Sequence, residues 1–342
     1  MINKKDVTIY DIASKLNLSS STVSRALRNS PSISKKTISK IKKTADEMGY
    51  RPNTLAASLR GNKSNSIGIL VPTVKQPFLS SLISGIEVIA QKAGYNVIIA
   101  QSHDSYEDEV ALTKALYGSR VSGIICSLAM HTKKTAHFQK FIDKKIPLVF
   151  VDRIPKDNIA SRVMIDNYAA GRKATMHLIS QGCNRIAYLA AGSDYSIFNE
   201  RKKGYLNALK EANLPIEEDL IVKLDDVTYE DAIKATNKLL DLKNPPDAIF
   251  APADILGVGV IKSAKIRGIK IPEELAIIGF NDDPIASIVD PELSTVYHPS
   301  VKMGEISASK ILEYLKKPKS EDFMDISLLN TDVIVRASSK RK

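Results

Sequence analysis

From Ser66 onward the chain alternates short runs of Ile, Val and Leu with longer amphipathic stretches, and no other feature constrains its fold as strongly. The first half predicts strands at IGILV (67–71), YNVIIA (95–100), SGIICS (122–127) and PLVFV (147–151). Helical stretches fall between them near 77–93, 106–119 and 133–144. The second half repeats the rhythm with RIAYLA (185–190), LIVKL (220–224), DAIFA (247–251) and LAIIG (275–279), and helices near 167–181, 200–213, 229–241 and 254–268. Strands this continuously apolar are buried on both faces, and strands separated by helices pair in parallel. Two such α/β units side by side leave a cleft at the carboxyl ends of their strands, where small ligands bind.

The sixty residues before this region are different in kind. Of the formal net charge of +11, residues 1–63 carry +9, from thirteen Lys/Arg and four acidic residues. A basic block interleaved with helix signals favours a polyanionic partner; the blander alternative is a solvated basic face. Within it, YDIASKLNLSSSTVSRAL (Tyr10 to Leu27) predicts two short helices around the joint Asn17-Leu18-Ser19. Apolar Ile12, Ala13, Leu16, Leu18, Val23, Ala26 and Leu27 can form a small core, leaving short polar side chains and Arg25 outside. This is the pattern of a helix-turn-helix whose second helix reads a DNA major groove, although an ordinary helical hairpin has the same periodicity. Thr8 and Asp11 predict a capping box, and Ser19 caps the second helix. A third helix begins after Ser34, with Ile38, Ile41, Ala45 and Met48 at helical spacing and Gly49 as its stop.

Asn53 to Arg60 then predicts a helix too short to be stable by itself in water. It is either an uncoiled linker or a hinge helix that forms against a DNA minor groove, with Leu59 as the apolar wedge. Cys126 and Cys183 sit far apart in apolar contexts and are expected to be small buried hydrophobes in a reducing compartment. The N-terminus lacks the apolar core of a signal peptide and no long apolar run occurs, so a cytoplasmic location is expected.

The blocks VTIYDIASKLNLSSSTVSRAL, SISKKT and GYRPNTLAASLR together resemble the N-terminus of the lactose-repressor/galactose-repressor (LacI/GalR) family of bacterial transcription regulators. The resemblance continues through IGILVP, DNYAAGRKATMHLISQG, RIAYLAAG, RKKGYLNAL, PPDAIFAPAD, IPEELAIIGFNDDP and LSTVYHPS. It implies an all-α helix-turn-helix head, residues 1–50, and a hinge helix or linker, 51–63. It further implies a periplasmic-binding-protein-like core of two doubly wound parallel-sheet subdomains. The first takes 64–163 and 293–318, the second 164–292 and 319–337, with 338–342 as a frayed tail; strands near 325–336 are expected in the second.

By the same resemblance, base reading falls on Ser20, Ser21 and Arg25, and the minor-groove helix on Asn53, Ala56 and Leu59. Backbone contacts fall on Thr8, Tyr10, Ser19, Ser34 and Lys35. Serines bond to almost any base edge, whereas Arg25 can grip a guanine bidentately. Effector candidates are Arg201, in Arg-x-x-Gly-Tyr, with Phe78, Asp166, Asn167, Asp254 and Asn281. Asp166 and Asp254 are equally placed to cap helices, and Phe78 to pack. Asn281 stands where family members often carry Asp and Ala253 where they often carry Asn, which puts the usual sugar contact in doubt.

An enzyme is not expected: there is no GxGxxG, P-loop, His-Glu-x-x-His or nucleophile elbow. The five histidines, His103, His131, His137, His177 and His298, show no metal spacing and read as surface or packing residues; no cofactor is expected. The function implied is a repressor of operator DNA, a homodimer or a higher oligomer, with no membrane partner, controlled by a sugar or sugar-derived metabolite in the cleft. The alternatives are a solute-binding protein that delivers ligand to a transporter and an enzyme on the same scaffold.

Overall fold

A computed structural model describes residues 7–50, 64–191, 196–317 and 324–341. The chain divides into two compact units, Met1–Ser64 and Asn65–Lys342. In the first, α1 (Ile9–Leu16), α2 (Ser20–Leu27) and α3 (Lys35–Glu47) pack around Ile12, Val23, Ala26, Ile41 and Ala45, with Leu16, Leu18, Leu27 and Met48 at the rim. Each start is capped as its sequence dictates. Asp11 accepts from the Thr8 N–H and hydroxyl at 2.7 Å, while Ser19 and Ser34 accept from the amides of Thr22 and Thr37 at 3.2 Å. Asn17 adopts the left-handed conformation, φ 54°, that ends α1 and turns the chain into α2.

The second unit holds two parallel sheets. The first contains β1 (Ser66–Val71), β2 (Asn96–Gln101), β3 (Gly123–Cys126), β4 (Leu148–Val151) and β5 (Ser161–Ile165), with α4 (Pro77–Lys92), α5 (Tyr106–Gly118) and α6 (Gln139–Asp143) between its strands. After β5 come α7 (Asn167–Ser180), β6 (Ile186–Ala190), α8 (Ser196–Glu211), β7 (Ile221–Lys223), α9 (Tyr229–Leu240), β8 (Ala248–Phe250), α10 (Asp254–Ile266) and β9 (Ala276–Ile278). Strands β6 to β9 form the second sheet, in the order β7-β6-β8-β9. The chain finishes with β10 (Thr295–Val296), α11 (Ser300–Lys316), β11 (Ile326–Leu329) and β12 (Val333–Ile334).

Three expectations are corrected here. The strands near 325–336 do not both join the second subdomain. β11 pairs in parallel with β5 and makes the order of the first sheet β11-β5-β4-β3-β1-β2, while β12 pairs antiparallel with β10. The edge of β5 is otherwise an open row of amides and carbonyls, and β11 fills it. The tail is not frayed either. Ser338 and Ser339 are fully buried, Ser338 accepts from the Ser294 N–H and donates to the Ile277 carbonyl, and the guanidinium of Arg341 donates to the carbonyls of Pro272 and Asp247. Its polar side chains satisfy backbone at the edge of the second sheet. The stretch 133–144 is a 3₁₀ turn at Ala136–Phe138 followed by the single turn and a half of α6.

Helices α7 and α8 cross where two glycines meet backbone. A Cβ on Gly171 would lie 2.3 Å from the Arg201 carbonyl oxygen, and one on Gly204 would lie 2.1 Å from that of Tyr168. This crossing carries Arg201 to the carboxyl end of the second sheet. The Gly of Arg-x-x-Gly-Tyr permits the approach, and Tyr205 locks it by donating to the Ile186 carbonyl at 2.8 Å.

Candidate DNA-reading head and effector cleft

In the head, the side chains expected to meet DNA lie outside the core. Thr8, Tyr10, Ser19, Ser21, Arg25, Ser34 and Lys35 are exposed and Ser20 is half-buried. Arg25 lies back along α2, its Nε donating to the Ser21 carbonyl at 3.3 Å and its guanidinium to the Ser21 hydroxyl at 3.5 Å. Arg28, which the sequence did not single out, repeats this arrangement one turn on with Ser24, at 3.2 and 2.9 Å. Both guanidiniums are thus held loosely on exposed helix surface, available to a partner with stronger acceptors. Asn53, Ala56 and Leu59 lie outside the described residues.

In the second unit the cleft candidates converge on Arg201. It is 2% exposed; its Nε donates to Asn167 Oδ1 at 2.9 Å and Nη1 to the Pro252 carbonyl at 2.8 Å. Its guanidinium carbon stands 3.5 Å from the ring centroid of Phe280, a cation–π contact. Burial lowers its pKa to about 10, with Asp152 and Tyr188 opposing, so it stays charged at neutral pH. Asn167 therefore orients Arg201, and Asp166 does not join the cluster; it is an exposed N-cap accepting from the Ala169 N–H at 2.8 Å.

Phe78, at the start of α4, stacks on His298 with centroids 4.1 Å apart. His298 in turn meets Asn281, with Nδ1 3.3 Å from Asn281 Oδ1. The backbone builds this contact. Residues 294–297 run beside 278–281, with Gly279 N–H donating to the Ser294 carbonyl at 2.7 Å and Asn281 N–H to the Val296 carbonyl at 3.0 Å. Asn281 itself sits at φ 115°, a conformation rare for a side-chain-bearing residue and associated with functional turns.

Asp254 plays another part. It is fully buried at the start of α10, and both oxygens are occupied: Oδ1 accepts from the Thr295 hydroxyl at 2.6 Å and Oδ2 from the Asp283 N–H at 2.7 Å. It fixes the 281–283 turn against the 294–297 segment. Burial pushes its pKa up to about 7, partly offset by those two hydrogen bonds.

Two residues absent from the sequence-derived site complete it. Asp152, at the carboxyl end of β4 with φ 61°, and His298 are 7% and 3% exposed. Asp152 Oδ1 and His298 Nε2 lie 3.8 Å apart, and neither has a hydrogen-bond partner. The clue for Asp152 is an acid ending an apolar run, PLVFVD, at the strand end where ligands bind. His298 offers no clue beyond its place in LSTVYHPS; it is buried and packs against Phe78 and Phe280, the second of the two roles expected for it. Among the described residues no group of His, Cys, Asp and Glu is arranged to hold a metal, and no helix is long and apolar enough to cross a membrane.

A helix-turn-helix joined to two parallel-sheet halves, with a buried polar cluster where their strands end, defines a DNA-binding protein governed by a small ligand. Comparison with known proteins makes this specific: the chain belongs to the lacI family of bacterial regulatory proteins. The profile of that family matches residues 8–53, and a periplasmic binding protein-like domain matches 175–339. The chain is similar to catabolite control protein A of Priestia megaterium, 33% identical over 91% of this chain and 93% of the relative. Among solved structures it resembles a transcriptional regulator CelR–cellobiose complex, 27% identical, TM-score 0.72, covering 97% of this chain and 99% of the other. Its fold also matches the lac repressor dimer bound to operator and the anti-inducer ONPF, at 22% identity, TM-score 0.87, covering 98% and 99%. The protein is an effector-controlled DNA-binding repressor, and delivery of ligand to a transporter is set aside.

Proposed function

We propose that the protein represses transcription in the cytoplasm as a homodimer on a pseudo-palindromic operator, binding its effector without turning it over. The operator contacts are Ser20, Ser21 and Arg25 on base edges, Thr8, Tyr10, Ser19, Ser34 and Lys35 on phosphates, and the segment around Asn53, Ala56 and Leu59 in the minor groove. The effector is a sugar or sugar-derived metabolite held by Phe78, Arg201 and Asn281, while Asn167 positions Arg201 and Asp254 sets the turn that presents Asn281. The exposed Asp166 is a helix cap beside the site. The division of the chain after Ser64 fits a head followed by a core; on this reading residues 1–50 act as the head, 51–63 as the hinge, and the remainder as two subdomains whose relative closure is sensed by the hinge.

One observation carries the proposal: the Arg201 guanidinium is buried and charged between Asn167, Pro252 and Phe280. Burying a charge is costly, so its retention among aromatic rings at a strand-end cleft points to a ligand. The similar regulator bound to cellobiose and the similar repressor dimer bound to operator support the effector class and the assembly. The protein titrated onto operator DNA, with and without a panel of sugars and sugar phosphates, tests it. One or more sugars should shift operator affinity by about tenfold or more, the usual range of allosteric coupling. Arg201→Ala should abolish that shift and retain DNA binding. An intact shift in the variant would move the effector elsewhere, and turnover of a bound ligand would reinstate an enzyme.

A further inference from the structure

β11 closes one edge of the first sheet, and among the described residues no strand lies beyond it. Its pairing with β5 decides which of its backbone groups are already used. Ile326 stands beside Arg162, whose N–H donates to the Asp325 carbonyl at 2.9 Å. In a parallel ladder the bonds of Arg162 go to the residues on either side of Ile326, and those of Met164 to the residues on either side of Leu328. The N–H and C=O of Ile326 and Leu328 therefore point away from the sheet. The side chains of the same two residues are 56% and 58% exposed, and Met324, on the same face, is 53% exposed. Strand edges are ordinarily guarded by Lys, Pro or a bulge. No Lys or Pro occurs between Met324 and Thr331. The single acid there, Asp325, is held by Lys310 and by the Ser161 hydroxyl, the latter at 2.9 Å.

A second copy of β11 matches this edge. With the two strands antiparallel about a two-fold axis at Ser327, Ile326 of one copy lies opposite Leu328 of the other, and the reverse. In that register each copy donates from the N–H groups of Ile326 and Leu328 and accepts at their carbonyls, so every outward backbone group of both strands is used. The exposed Ile326 and Leu328 side chains then meet as cross-strand apolar pairs, Ser327 faces Ser327, and the strand itself carries no charge to oppose its copy. The other edge of the sheet, β2, exposes Ile98 and Ile99 at 37% and 47%. A dimer closed by a two-fold axis buries one self-complementary patch and leaves a second one open. We propose that β11 joins two dimers edge to edge, making the repressor a tetramer with four heads. The contact consists of a short strand pairing and a few apolar side chains, well under the ~1,200 Å² of a standard interface, so it is weak between free dimers. It strengthens when two dimers sit on one DNA, where the effective concentration of one for the other is on the order of millimolar.

This rests on the homodimer proposed above, and the test separates the two. Sedimentation velocity of the full-length chain without DNA, from about 1 to 200 µM, spans the range in which a weak contact associates. The wild type should pass from dimer to tetramer as concentration rises. Ile326→Lys combined with Leu328→Lys, both at exposed positions, sets like charges opposite each other. That variant should remain a dimer throughout, with an unchanged far-UV circular dichroism spectrum. Ile326→Lys combined with Leu328→Glu sets unlike charges opposite each other in this register alone, and should associate about tenfold or more tightly than the Lys–Lys variant at low salt. Leu328→Pro removes an outward donor that β5 does not use, and should abolish the tetramer without introducing a charge. A wild type that stays dimeric at the top of the range overturns the edge contact. So does a Lys–Lys variant that still forms tetramers, or a Lys–Glu variant that associates no more tightly than it. Variants that fall to monomers place the dimer itself on β11 and overturn the tetramer. A monomeric wild type overturns the homodimer and the tetramer with it.

Discussion

The buried carboxyl of Asp254 gives a quantitative prediction. Its pKa rises from 3.8 to about 7 because burial outweighs its bonds to the Thr295 hydroxyl and the Asp283 N–H. Between those two pH values the folded protein keeps a proton on Asp254 that the unfolded chain has released. Stability therefore falls as pH rises through this window and levels off above about pH 7. Roughly three pH units at about 1.4 kcal/mol each give up to about 4 kcal/mol. Asp254→Asn removes the titration and keeps the geometry. The amide oxygen can accept from Asp283 N–H, and the amide nitrogen can donate to the Thr295 hydroxyl, which rotates to accept. Urea unfolding of the wild type and the variant at half-unit intervals from pH 4.5 to 8 measures the difference curve, in which the contributions of other groups cancel. The variant should gain on the wild type steadily as pH rises towards 7, by a few kcal/mol in all, with no further gain above it. Parallel curves across the window would show that Asp254 is ionised in the folded state and would refute the assignment of its environment.

Two other predictions concern the head. Arg25→Ala should remove most of the preference for operator over random DNA, by about 1–3 kcal/mol, while leaving salt-sensitive general binding; a fluorescence-anisotropy titration at two salt concentrations separates these, and unchanged specificity would sink the assignment. Leu59→Ala should weaken specific binding and reduce DNA bending, and a circular-permutation gel shift with the wild-type bend would refute the wedge.

Much of the architecture was legible because each strand of a parallel sheet is apolar on both faces. The runs at 67–71, 147–151 and 185–190 and the helix starts at Ser34, Pro77 and Asn167 coincide with the observed elements to within a residue or so. β5 was missed because its apolar run, Val163 to Ile165, is short and preceded by the polar pair Ser161 and Arg162. The placement of β11 depends on a partner some 160 positions earlier, which no local pattern can specify. In the site, Arg201 was legible through the glycine and tyrosine that follow it, because those residues have a visible packing purpose. Asp254 resembled a ligand contact because its partners, Asp283 and Thr295, are distant in sequence and claim both its oxygens. Asp152 and His298 were hidden for the opposite reason: what distinguishes them is one buried atom each, Oδ1 and Nε2, without a hydrogen-bond partner, and sequence spacing carries no trace of that.

The pairing of β11 with β5 also bears on how the protein is made. During synthesis β5 is finished once residue 165 has emerged, yet the strand that covers its flank comes only at 326–329. While the roughly 160 residues between them are made, a buried-type strand has an open side, the kind of edge that recruits other chains. The second sheet waits as well, since Ser338, which bonds to Ile277, is made later still. Truncation before residue 326 would therefore leave both sheets incomplete, and such products should aggregate and be degraded even though head and cleft are encoded.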